Sequence, residues 1–344
     1  MNRTTNFHFL RTAFFPIISS RYLLVLLVLL LCNLVVAWIT IGIGEFRIPF
    51  ADVIKTLAGY GEKKYEFVIY TLRLPRTLVA FLVGIGLAVS GTILQALTRN
   101  PLASPSVIGL NAGAGLGASI MIILFPAVSI FFVPFAAFAG AFIAGALVYL
   151  LAWKNGDSPL RLVLIGIGIA AIAQAFILLI QTHGKIQLVT KATIWLVGSV
   201  YARGWEHVWS LFPWIFLLFC VTFGLARHLD ILQLGDDIAR GVGSRVEWQR
   251  GWLLLISIAL AGASVAAAGV ISFVGLMAPH ISRRLVGSSH RVLLITAALV
   301  GGLLVMLSDL IGKTLFAPIE IPCGIVTAII GVPYLIYLLI REQK

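Results

Sequence analysis

This sequence predicts an all-α, polytopic membrane protein with about ten transmembrane helices, and three observations carry that expectation. Of its 344 residues 60% are apolar and only 11% are charged, less than half the share of roughly 25% with which a soluble domain covers its surface. Mean hydropathy is +1.05. Apolar runs of the length a bilayer requires, about 20 residues, recur from end to end with short polar breaks. Nothing is left over for a soluble domain, so residues 1–344 read as one transmembrane unit.

The spans are bounded by charge or by Pro and Gly. Arg3, Arg11 and Arg21 precede the first run, which begins at Tyr22. A signal peptide starts the same way, but this run is long for one and no small-residue cleavage pattern follows it. Residues 22–42 therefore read as a retained first helix. The second span, 75–97, is introduced by Leu72-Arg-Leu-Pro-Arg76, where proline suits the first helical position. Spans 106–124 and 131–152 follow, then 161–181 behind the polar turn Asp157–Arg161. Span 208–226 leads into the longest polar loop, 227–251. Residues 252–286 are nearly continuous and are divided at Gly269, Gly275 and Pro279 into 252–270 and 272–286. Spans 292–312 and 323–340 complete the set.

An even number of spans returns the chain to the side on which it began. That side collects 15 Lys and Arg against 10 on the other, giving net charges of +9 and +3. Basic residues accumulate in cytoplasmic loops, which places both termini in the cytoplasm. The same rule explains the overall +12 without nucleic acid, the partner that such an excess suggests in a soluble protein. Lipid is the surrounding partner instead.

A faint repeat accompanies this topology. Residues 82–101 lie without gaps on 260–279, with Leu82/Leu260, Gly84/Gly262, Ala88/Ala266, Gly91/Gly269, Ile93/Ile271 and Pro101/Pro279 coinciding. The two copies, about 75–200 and 252–340, would enter the membrane in opposite directions, a common way to build a transporter.

Several motifs bear on chemistry. Gly109, Gly113 and Gly117 recur at one helical face, which suits close helix packing or a backbone that lines a conduit. Leu234-Gly-Asp-Asp-Ile-Ala-Arg-Gly-Val-Gly243 reads as a short loop helix. Asp236 and Asp237 open it and Arg240 stands near its end, in accord with the helix dipole; Gly241 or Gly243 closes it. Arg73 and Arg76 either anchor their helix at the headgroups or offer a rigid positive point to a carboxylate. Gly312-Lys-Thr314 resembles the tail of a nucleotide-binding loop, but the glycine required five residues earlier is Leu307. The chain therefore should not bind ATP, and it should hold no cofactor. Cys32, Cys220 and Cys323 lack metal-ligand spacing and read as small buried hydrophobes. No HExxH or GxSxG pattern supports an enzyme. Asp309 is the one acidic residue well inside a span, placed to pair with Lys313 one turn on. Ion-coupled transporters place ionisable groups at mid-membrane. Their scarcity here implies that the driving energy enters through a partner.

The strings RLPRT (73–77), SGTILQALTRNPLASPSVIGLNAGAGLGA (90–118), LGDDIARGVG (234–243), GVISFVGLMAPHISRRLVGSSHR (269–291) and EIPCGIVTAIIGVPYLIYLL (320–339) stand in this order. Together they resemble the permease family of iron-siderophore, haem and vitamin B12 ATP-binding cassette importers, the type II importers, over about 22–341. The resemblance implies ten helices per subunit, a second permease (identical or related), two ATPase subunits carrying ATP and magnesium, and an extracytoplasmic binding protein. It implies that Leu234, Gly235, Asp236, Asp237, Ala239, Arg240, Gly241 and Gly243 form the coupling helix that docks on the ATPase. It implies that Arg73 and Arg76, with Lys313 where the family often has arginine, meet acidic residues of the binding protein. Ser158 and Pro159 fall at its cytoplasmic gate, where proline departs from the small hydroxyl residues expected. Ferric siderophore is the first expectation for cargo, with cobalamin or haem as the alternative.

Overall fold

The computed structural model describes residues 20–44, 46–152 and 159–342. Among these there is no strand, and eight helices are long and apolar enough to cross a membrane. The described residues open with α1 (Ser20–Gly42), followed by α2 (Phe50–Leu57) and α3 (Lys63–Glu66). Wide turns over Phe67–Arg73 join α3 to α4 (Leu74–Thr98) as one continuous 36-residue helix. The second span thus begins well before the expected 75. The wide turns stand directly ahead of Pro75, whose missing N–H interrupts the regular ladder.

Next come α5 (Leu110–Ser119), extended by wide turns to Leu124, then α6 (Val133–Ala152) and α7 (Pro159–His183). The connections between spans contain α8 (Ile186–Val197) as well as α2, where sequence patterning read only loops. Then follow α9 (Trp205–Gly224), α10 (Ala226–Gln233) and α11 (Asp236–Gly241). The second half is α12 (Val246–Ala268), α13 (Val274–Val286), α14 (His290–Thr314) and α15 (Cys323–Glu342).

Two of the ten expected spans, 106–124 and 272–286, fold as the shorter helices α5 and α13. Each is cut at its start by a left-handed residue, Gly109 with φ +83° and Phe273 with φ +68°. A left-handed residue cannot propagate a right-handed helix. The resulting order, long helix, left-handed break, short helix, long helix, occurs twice: α4–α5–α6 and α12–α13–α14. At the break after α12 the Ala268 carbonyl accepts from Ser199 N–H at 2.7 Å, and the adjoining Gly198 carbonyl accepts from Gly324 N–H of α15 at 3.1 Å. Buried backbone groups need such partners.

Burial separates the helices into two classes. The most apolar stretch of α4 is 83% buried, against 17% for α1 and α7. α4, α12 and α14 are the core, and α1, α7 and α9 turn leucine, isoleucine and phenylalanine outward, as lipid permits. Glycine lets the core helices meet backbone to backbone: a Cβ on Gly84 would lie 2.2 Å from Gly301 O, and one on Gly91 would lie 1.8 Å from Gly275 O. The Gly113/Gly117 face packs in the same way against Gly140 and Ala136 of α6. At the centre, Ser90 and Ser257 hydroxyls bond at 2.8 Å and tie α4 to α12. Of the cysteines only Cys323 is buried; Cys32 is half-buried and Cys220 is exposed, because its helix α9 lies on the periphery.

Candidate functional site

The three core helices run between two clusters of charge. Arg76 lies in the first turn of α4 and Arg99 just past its end, about 35 Å apart at 1.5 Å per residue. One cluster gathers Arg73, Arg76 and Lys313. The other gathers Arg99, Asp236 and Arg250, with a separate pair in which Asp230 of α10 accepts from His290 of α14.

At the first cluster, α1 ends without a basic residue in its last turn, so its terminal carbonyls are served from other helices. Arg73 Nη1 donates to Ile41 O at 2.8 Å and Gly42 O at 3.0 Å, and its Nη2 donates to Phe46 O. Lys313 Nζ donates to Thr40 O. Cations at a helix C-terminus offset its partial negative charge. Arg76 does something different. Its Nε and Nη2 reach the Asp309 carboxylate at 3.2 and 2.7 Å, and its Nη1 and Nη2 reach Glu320 at 3.2 and 2.8 Å. The arginine fork is thus bidentate on both acids. Asp309 therefore pairs across helices with Arg76, where its spacing from Lys313 had suggested an in-helix pair. A fork presented by a neighbouring helix outcompetes the lysine, which is drawn to Thr40 O instead.

These residues border a cleft of about 1200 Å³. Its basic lining residues are Arg73, Arg76, Lys191, Arg203 and Lys313, against the acids Glu206 and Glu320. Tyr201, whose ring centroid is 5.5 Å from the Arg76 guanidinium carbon, adds an aromatic wall with Trp195 and Trp205. Arg203 donates to His207 Nε2 at 3.0 Å. Burial pushes its pKa down and Glu206 only partly offsets this; an arginine stays charged nonetheless.

At the second cluster, Gly235 (φ +112°) breaks the chain before α11 and Gly243 (φ +80°) turns it after. The left-handed closing residue is Gly243, and Gly241 is the last helical residue. Leu234, Ile238 and Val242 fall on one side four residues apart and are 63%, 53% and 66% exposed, while Ala239 is buried. Asp236 does not cap its own helix. Its Oδ1 accepts from Arg250 Nη2 at 2.7 Å and from Arg99 Nη2 at 3.3 Å. Arg240 pairs with Glu247 at 3.4 Å. Ser158 lies outside the described residues, and Pro159 is the first residue of α7. Sequence reasoning missed Glu320, Asp230 and His290; the partners are tens or hundreds of positions apart, so no local pattern marks them.

A lipid-spanning helical bundle with a cationic cleft at one end and a short loop helix with an exposed apolar side at the other is consistent with the membrane component of a transporter. The chain belongs to the FecCD transport family, which matches residues 26–341. It is 47% identical over 327 residues to YfhA of Bacillus subtilis, named as a probable siderophore transport system permease protein, covering 93% of this chain and 95% of that one. It is 39% identical to the iron(3+)-hydroxamate import system permease FhuG of the same organism, covering 94% and 99%. To the ferric enterobactin permease FepG of Escherichia coli it is 38% identical, covering 94% and 98%. Among solved structures, a metal-chelate type ABC transporter in an inward-facing conformation superposes with a TM-score of 0.82 at 32% identity, covering 93% of this chain and 99% of that one. Family membership makes the chain a multi-pass transport component and not an enzyme; ATP hydrolysis lies with a separate partner.

Proposed function

We propose that the chain is the permease subunit of an ATP-driven importer that carries ferric siderophore complexes into the cytoplasm. The observation that carries this reading is the end-to-end separation of the two clusters on shared helices. A ligand-sized cleft with five cationic and two acidic lining residues opens at one end, and a docking helix with bare Leu234, Ile238 and Val242 stands at the other. Ferric chelates with excess carboxylate, catecholate or hydroxamate ligands are anionic or polar, and a basic, aromatic-walled cleft suits them. The relatives' cargo points the same way.

In this reading both termini and α11 face the cytoplasm, and the cleft faces outward. Two permeases, identical or related, stand over two ATPases, with a binding protein delivering cargo from outside. Residues 234–243 seat on the ATPase, which holds ATP and magnesium; this chain holds no cofactor. Arg73 is half-buried and bonds to neutral carbonyls, so its charge remains available to acidic residues of the binding protein, whereas Lys313 is buried against Thr40 O and adds positive charge from beneath the surface. Arg76 is neutralised internally and orders the rim that carries them. The two similar halves, about 75–200 and 252–340, rock against each other as access alternates.

The test is uptake into proteoliposomes that hold the permease pair and ATPases, with binding protein outside and ATP inside. Radiolabelled ferric hydroxamate, catecholate or citrate should accumulate only with ATP. Accumulation driven by a proton or sodium gradient without the ATPases would refute the reading.

A further inference from the structure

How a push on α11 reaches a cleft about 35 Å away is not explained by docking alone. α11 buries only Ala239, so it has little apolar grip on the bundle and would slide over it if packing were its only attachment. Preceding it, α10 buries Ala226, Leu229 and Leu232. Apolar contacts of this kind resist separation but are non-directional. Directional attachment comes from two carboxylates.

Asp230, on α10, accepts through Oδ1 from the backbone N–H of His290 at 2.9 Å and from His290 Nδ1 at 2.7 Å. His290 is the first residue of α14 and is completely buried. A carboxylate at a helix N-terminus is favoured by the dipole and caps an otherwise unpaired amide. Asp236, the first residue of α11, accepts from Arg250 in the second turn of α12 and from Arg99 at the end of α4. The three helices tied in this way are the three core helices. Each also reaches the cleft: α4 through Arg76, α12 through Ala268 and α14 through Lys313.

We infer that residues 226–241 form a yoke in which Asp230 and Asp236 are the positioning residues that join the ATPase-facing segment to all three cleft-reaching helices. The inference rests on the transport reading above and adds the transmission path to it. Movement of α11 pulls α4 and α12 through the two arginines, and movement of α10 pulls α14 through His290. Docking does not need Asp230, Arg99 or His290; conversion of ATPase movement into transport does.

The experiment uses the full complex in proteoliposomes and reads ATP hydrolysis and ferric-chelate uptake in the same vesicles. Asp230→Asn and Arg99→Gln should leave co-purification with the ATPase and the hydrolysis rate within twofold of the parent, while uptake per ATP falls at least fivefold. The double variant should fall further, and Asp230→Glu should restore at least half. Uptake per ATP equal to the parent's in both single variants overturns the yoke. So does loss of ATPase co-purification, which would make these residues part of the docking surface. If a variant does not accumulate, a cysteine pair replacing Arg99 and Asp236, bridged by a thiol-reactive linker that contains a reducible disulfide and spans the length of the lost arginine, supplies the second measurement. Cross-linking it should preserve coupling and reduction should abolish it, and coupling unchanged by reduction overturns the proposal. Failure of the parent complex to take up chelate with ATP would sink the transport reading itself, an outcome distinct from all of these.

Discussion

Replacing Arg76 with methionine removes every bond from the rim to the Asp309 and Glu320 carboxylates at once. The arginine side chain is 14% exposed, Asp309 is 3% exposed and Glu320 is 26% exposed. The consequence is therefore uneven: water can reach Glu320 but not Asp309. Unlike charges about 4 Å apart attract by about 4 kcal/mol at an effective dielectric constant near 20. Breaking a buried pair from one side costs about 3–5 kcal/mol, because the remaining charge has neither partner nor water. For a chain of this length, about 2 °C of midpoint per kcal/mol translates this into a fall of about 6–10 °C in fluorescence-monitored unfolding in detergent. The double variant Arg76→Met/Asp309→Leu removes the stranded anion and leaves only the hydratable Glu320. It should regain more than half of the loss, since well-packed apolar replacements of buried ion pairs are often neutral. A single variant within 2 °C of the parent, on the order of 1 kcal/mol, would show that the cluster contributes nothing. A double variant that falls by the sum of both singles would show that the two residues do not interact.

Three further outcomes follow from the same geometry. Gly91→Val drives side-chain atoms into the Gly275 carbonyl and should abolish a monodisperse peak in size-exclusion chromatography, whereas Gly168→Ala, which meets nothing within 4 Å, should leave it unchanged. Arg73→Glu should reduce binding-protein affinity at least tenfold in a surface-binding assay while the permease still assembles; unaltered affinity would remove Arg73 from the docking surface. Ile238→Asp places a charge on the exposed apolar stripe of α11 and should release the ATPase during co-purification, as should Gly241→Pro by breaking the last turn of that helix; retention of the ATPase by both would contradict the docking assignment.

The lipid-embedded helical class, the order of the spans and the loop helix at 234–243 were legible before any coordinates. Each depends on local composition and spacing: apolar runs of bilayer length, and acids ahead of a glycine-bounded turn. Span boundaries were less so. The upstream extension to Lys63 is written in a segment with no long apolar run, and α5 and α13 are shortened by left-handed residues. Gly109 permits that conformation but does not announce it, and Phe273 gives no sign of it at all.

The pairing of charges was the part that sequence could not supply. Asp309 stands one turn from Lys313, and the helical rule joined them, yet Arg76 lies 233 positions away and takes the carboxylate with a better-shaped fork. Asp236 looked like a dipole residue for its own short helix, and it instead holds two arginines from different core helices. By itself the sequence determined that this chain lives in lipid and where it must be helical, because hydrophobicity and backbone propensity act over a few turns. Only the tertiary structure decided which ends of those helices meet, because a charge selects among partners that the fold, not the spacing, brings within reach.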